Sequence, residues 1–82
     1  MIPYPIVLFF RRLYLRVIYY RSDHWKATAR HMRKLAKYTC QDCRRTDIPL
    51  DVHHESYKRL WHERQEDLRV LCRDCHDTRH GK

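Results

Sequence analysis

The sequence predicts a small α+β domain, and three observations predict it. Trp25, Ala29, Met32 and Ala36 fall at i, i+4, i+7 and i+11 with Leu35 alongside, one apolar face of a helix over 23–37. Two short runs, 48–54 and 68–71, alternate apolar and polar residues as half-buried strands do. Two Cys-x-x-Cys pairs, Cys40/Cys43 and Cys72/Cys75, bracket these runs and offer a staple. A chain of 82 residues, with room for only a modest core, often needs one.

The helix has a start signal in Ser22 and Asp23, both good N-cap residues. Lys26, Arg30, Arg33, Lys34 and Lys37 cover its remaining surface, and it ends near Tyr38-Thr39. Cys40-Gln-Asp-Cys43 then forms a tight knuckle, followed by a polar turn over 44–47. In the first strand Leu50, Val52 and His54 share one face, Asp51 and His53 the other. Pro49 places that strand at an edge or at its own start. A polar loop over 55–67 carries Tyr57, Leu60 and Trp61 as anchors, and 68–71 is the returning strand. A last helical turn or two begins at Arg73 or Asp74 and ends near His80-Gly81, where glycine is a common stop.

Residues 1–19 form a segment apart from the domain of 20–82. The run Ile6-Val-Leu-Phe-Phe10 continues in Leu13, Leu15, Val17 and Ile18, interrupted by Arg11, Arg12 and Arg16. No apolar stretch approaches the ~20 residues of a membrane span, so no membrane partner is expected. The charges follow the apolar run, the reverse of a secretory leader. A strand, a short helix or a docking surface for a second copy all fit, and exposed apolar residues here favour a homodimer.

The net charge of +8 and pI near 9.7 are unevenly placed. Residues 1–50 hold eleven Lys/Arg against three Asp/Glu, and 51–82 hold seven of each. A basic half joined to a neutral, ligand-rich half suggests a phosphate-binding arm beside a chemical site. Arg30, Arg33, Lys34 and Lys37, with Arg44 and Arg45 beside the first knuckle, are the expected contacts to a nucleic-acid backbone, contacts that carry little sequence information. A solvated basic surface without a partner is the plainer alternative.

Four cysteines in two pairs fit a tetrahedral zinc site better than a disulfide framework, and structural zinc in a reducing cytoplasm is expected. The 28 residues between Cys43 and Cys72 become one excursion pinned at both ends. Four reduced core thiols, or a site of three cysteines and one histidine, are the alternatives.

Seven histidines is a high count. His24, His31 and His62 are read as surface or partly packed side chains. His53 and His54 are adjacent on a strand, while His76 and His80 lie at i, i+4 on one helical face, a spacing suited to gripping a metal. One ligand on a strand and two on a helix leave coordination positions open, as catalytic metal sites do.

Taken together, Cys-x-x-Cys, Leu50-x-Val52-His53-His54, Tyr57-x-Arg59-Leu60-x-x-Glu63-x-x-x-Asp67-Leu68 and Val70-Leu71-Cys72-x-x-Cys75-His76-x-x-x-His80 resemble the HNH endonuclease family, of the zinc-clamped kind with a ββα-metal core. Tyr20-Arg-Ser-Asp-His-Trp25 also resembles the lead-in common before the first cysteine pair, so the likeness covers residues 20–80. It implies that His54 is the general base and that His53, His76 and His80 hold a catalytic divalent ion. It implies also that Asp67, standing where many members have asparagine, orients His54. Trp61-His62 sits where a tighter, glycine-containing turn is common. The implied activity is hydrolysis of DNA phosphodiester bonds to 5′-phosphate and 3′-hydroxyl ends. Mg²⁺ is the expected ion, with Mn²⁺, Ni²⁺ and Zn²⁺ also suited to imidazole ligands. A zinc module that binds nucleic acid without cutting it, and an interaction protein using residues 1–19, are the competing readings.

Overall fold

The computed structural model describes residues 2–79. Its element order is α1 (Tyr4–Tyr14), a π-helical turn (Leu15–Tyr19), α2 (Asp23–Leu35), β1 (Leu50–His54), a 3₁₀ turn (Gln65–Asp67), β2 (Leu68–Cys72) and α3 (Arg73–Arg79). This is the small α+β architecture expected, with one two-stranded antiparallel sheet. The expected end of α3 at His80-Gly81 lies outside the described residues.

Local chemistry explains most boundaries. The Ser22 side chain accepts from the Trp25 backbone N–H, which caps α2 and satisfies one of its orphan donors. After Ala36, Lys37 and Tyr38 both take left-handed backbone (φ 55° and 54°), which turns the chain away from the helix. Pro5 sits in the first turn of α1, where its missing N–H costs nothing. Residues 6–19, left open between strand and helix on sequence, are helical throughout.

β1 and β2 pair in the register Leu50↔Cys72, Val52↔Val70 and His54↔Leu68. Leu50, Val52 and His54 are buried while Asp51 and His53 are half-buried, so the period-2 pattern resolves the two faces as expected. Onto the inner face pack Ala29 and Met32 of α2, with Trp25 and Ala36 partly covered beside them. Cys40, Val70, Leu71 and Cys72 complete the core, so one cysteine of each pair is buried in the packing. Leu35, expected on the helix's apolar face, is 47% exposed.

Among the described residues no helix is long and apolar enough to cross a membrane. Among the described residues of the 1–19 segment only Tyr19 is buried, and it is completely so.

Candidate functional site

The two knuckles meet. Among the described residues, Cys40, Cys43, Cys72 and Cys75 are the one set of three or more potential ligands whose donor atoms converge, all within 4.8 Å of one another. None is in a disulfide. The Cys43 and Cys72 sulfurs are 3.7 Å apart. A tetrahedron with zinc–sulfur bonds of about 2.3 Å has edges of about 3.8 Å, so the spacing suits such an ion. Burial alone would raise the Cys40 thiol pKa. Hydrogen bonds from the backbones of Cys43, Cys72 and Asp42 outweigh it and hold that thiol at about 6, while burial and the neighbouring thiols push those of Cys43 and Cys75 up, so the cluster favours a thiolate at Cys40 first. Gln41 fastens the first knuckle to the sheet: its N–H donates to Val70 O at 2.8 Å, and its side-chain oxygen accepts from Val70 N at 2.8 Å.

On the hairpin's far side, His53, His54 and His76 line one cleft of about 450 Å³ together with Asp51, Arg33 and Arg73. The rings of His53 and His76 face each other at 5.1 Å between centroids. β1 aims His53 outward, α3 starts directly after β2 and brings His76 back to it, and the cysteine pair at that junction fixes the approach. His76 Nδ1 lies 3.1 Å from Asp51 Oδ2. A carboxylate on Nδ1 fixes the tautomer in which Nε2 carries the lone pair. The sequence patterns do not single out Asp51. Its place two residues before His53, on the same strand face, is the signal that finds it. His80 lies outside the described residues, so the donors described at this cleft are two imidazoles and a carboxylate.

His54 points the other way. Its side chain is 0% exposed. Trp25 and Tyr57 stack on its two faces at 4.8 and 4.6 Å, with interplanar angles of 22° and 15°. Nε2 lies 2.9 Å from Glu63 Oε2, while Nδ1 lies 3.5 Å from the Tyr20 hydroxyl, itself 3.1 Å from that of Tyr57. Burial, followed by the neighbouring His53, holds the His54 pKa down to about 4, with the charge of Asp67 acting weakly in the opposite direction. The imidazole is neutral at pH 7, the form able to accept a proton. With Nε2–H donating to Glu63, the lone pair is on Nδ1, toward Tyr20.

The carboxylate that reaches His54 is therefore Glu63, where the family likeness implied Asp67. Glu63 also accepts from the buried Tyr19 hydroxyl and lies 2.9 Å from His24 Nε2. Its side chain is 1% exposed, and burial raises its pKa above the ordinary value. Backbone hydrogen bonds from Glu63 and Trp61 oppose that shift, and the Asp67 charge adds to it, while three side chains converge on the one buried carboxylate. His24, read on sequence as a surface or partly packed side chain, is half-buried and converges on the same carboxylate.

Asp67 does different work. Arg59 grips both its oxygens, at 2.8 and 2.5 Å, and the Arg64 N–H donates to it at 3.0 Å. The Arg59 guanidinium holds the Asp67 carboxyl below its usual range. The Asp67 backbone carbonyl meanwhile accepts from Glu55 N at 2.7 Å, so this residue ties the 55–67 loop to the chain just past His54. Trp61, in the turn where the family likeness implied a glycine, has φ 74°, the left-handed region that favours glycine. Its indole donates to the Tyr14 hydroxyl at 2.8 Å and packs edge-on against Tyr19 at 4.8 Å, contacts a glycine could not make.

Of the basic residues expected on a nucleic-acid backbone, Arg30, Lys34, Lys37, Arg44 and Arg45 are exposed. Arg33 is half-buried, donates to Leu50 O at 3.0 Å and lines the cleft.

The chain matches no family model, no curated protein and no solved structure.

One test of this geometry is titration of the His54 ring. Its carbon-bound proton signals should stay at their neutral positions down to about pH 4, while an unperturbed histidine titrates near ~6.5. A folded pKa below the unfolded one means that the stability contributed is fully present above about pH 6.5 and is lost as pH falls through about 4. A His54 midpoint at or above 6.5 would show that the ring is not buried as described.

Proposed function

We propose that the chain is a metal-dependent endonuclease that hydrolyses DNA phosphodiester bonds. The observation that carries this reading is that His53 and His76, two of the histidines singled out on sequence, line one cleft with Arg33 and Arg73, and that the buried His54 ring lies beside it on the same hairpin.

Each group has a task. Arg33 and Arg73 offer positive charge for the phosphate. His53 and His76 are the ligands for a divalent ion, with Asp51 orienting His76 and His80 as the further ligand the family likeness implies. That ion, when bound, neutralises charge on the phosphate and stabilises the departing 3′ oxygen. His54 is the general base. Its Nδ1 takes the proton from a water on the Tyr20 side, and the imidazolium that forms is stabilised through Nε2–H by Glu63. In the closed arrangement described here Tyr20 and Tyr57 screen Nδ1, so substrate entry requires the Tyr57 side of the cleft to open. Tyr57 is 36% exposed, the less covered of the two stacking partners.

His54→Ala is a poor test because it also removes a packed side chain. His53→Ala is the cleaner one: the ring is half-buried and on the outer face. That substitution should lower plasmid nicking about 10²-fold or more, with the unfolding midpoint close to wild type. Undiminished nicking would remove His53 from the site and the metal from the reaction.

A binding module that does not cut remains the second reading, favoured by the same basic surface. Salt-sensitive DNA binding without nicking in any divalent ion would select it.

A further inference from the structure

α1 is attached to the domain along one side only. The Arg11 guanidinium sits over the Tyr57 ring at 5.1 Å, and the Tyr14 hydroxyl accepts from Trp61. At about 100° per residue Ile6, Phe9, Phe10 and Leu13 fall within one arc of about 100°, centred about 120° round the helix from the Arg11 and Tyr14 side. Phe9 and Phe10 are 60% and 59% exposed, and Ile6 is 45% exposed. Arg12 and Arg16 run along the edge of this strip, forming a shallow surface with Phe9 and Leu13. No Asp or Glu occurs before Asp23.

We propose that this strip docks on the surface of a bilayer containing anionic lipid. The apolar side chains enter the boundary between headgroups and acyl chains, and Arg12 and Arg16 lie among the headgroup phosphates. Charge decides between this occupant and a second copy of the chain. Two such strips packed together would bring four arginines to one seam with no carboxylate from either segment to pair them. A nucleic acid would satisfy the arginines and leave both phenylalanines in water. An anionic bilayer satisfies both. Even with the π-helical turn that follows, the helical segment from Tyr4 to Tyr19 is at most about 24 Å long, short of the ~30 Å hydrocarbon core and interrupted by arginines, so it lies along the surface and does not cross. The sequence expectation of no membrane partner concerned spanning, and surface docking is a separate property.

The test is co-sedimentation of the full zinc-loaded chain with vesicles of phosphatidylcholine alone and of phosphatidylcholine with an equal part of phosphatidylserine. The chain should pellet with the second and not the first. Replacing both phenylalanines (Phe9→Ser with Phe10→Ser) should weaken binding at least about tenfold, and Arg12→Gln about fivefold. All three positions are exposed, so an unchanged near-ultraviolet spectrum should accompany each loss. Failure to pellet with anionic vesicles overturns the proposal, as does pelleting that the serine variant leaves unchanged. Absence of vesicle binding with a dimer that the serine variant dissociates assigns the strip to a second copy. Absence of vesicle binding with weakened DNA affinity assigns it to nucleic acid.

Discussion

Stripping metal from the four-cysteine cluster should unfold the chain. Structural zinc of this kind contributes about 10–16 kcal/mol of apparent binding free energy near pH 7. A domain's whole net stability is about 5–15 kcal/mol, and one with a small core sits at the low end. The ion's contribution is thus as large as the total. Two of the cysteines, Cys40 and Cys72, are themselves core residues. Without a cation, the sulfurs of four cysteines lie within 4.8 Å, and any that ionise repel one another. A strong chelator should abolish the far-ultraviolet signal of helix and sheet, and one equivalent of Zn²⁺ should restore it. Cys72→Ser should behave like the chelated wild type. A chain that kept its fold under chelation would show that the thiols merely pack.

Glu63→Ala should cost about 3–5 kcal/mol, because buried donors left without an acceptor cost about 1–3 kcal/mol each. Tyr19, His24 and His54 would all lose their acceptor at once, and two of these three are fully buried side chains. The urea midpoint is the measurement, and Glu63→Gln, which keeps the shape and one acceptor oxygen, should lose less. The glutamine variant should also nick plasmid more slowly than its stability explains, because a neutral amide cannot stabilise an imidazolium at His54. A wild-type midpoint in the alanine variant would mean that Glu63 is not the hub of the buried network.

The local elements could be read from the sequence because local chemistry makes them. Ser22 caps α2, the period-4 and period-3 spacing of Trp25, Ala29, Met32 and Ala36 buries that face, and alternation along 50–54 separates His53 from His54. The spacing of the cysteine pairs likewise anticipated their convergence. The Glu63 hub left no such trace. Its partners Tyr19 and His24 are 44 and 39 residues away, and no periodicity announces contacts that only tertiary packing creates. Asp67 was a reasonable partner for His54 on family likeness, but Arg59, eight residues earlier, reaches it first and holds both oxygens. Residues 6–19 were ambiguous between helix and strand because a short apolar run suits either, and Pro3 and Pro5 suggested extended residues at the start, whereas Pro5 lies in the first turn of α1, where its missing N–H is tolerated.

The most direct measurement is conversion of supercoiled plasmid by the purified zinc-loaded chain, with Mg²⁺, Mn²⁺, Ni²⁺ or further Zn²⁺ added in turn. A hydrolytic cleft separate from the cysteine cluster predicts nicked circles with 5′-phosphate ends in at least one of these ions. It predicts none when the chain carries only its single structural ion. Plasmid left supercoiled in every ion, under conditions where the chain is folded and bound to DNA, would contradict it.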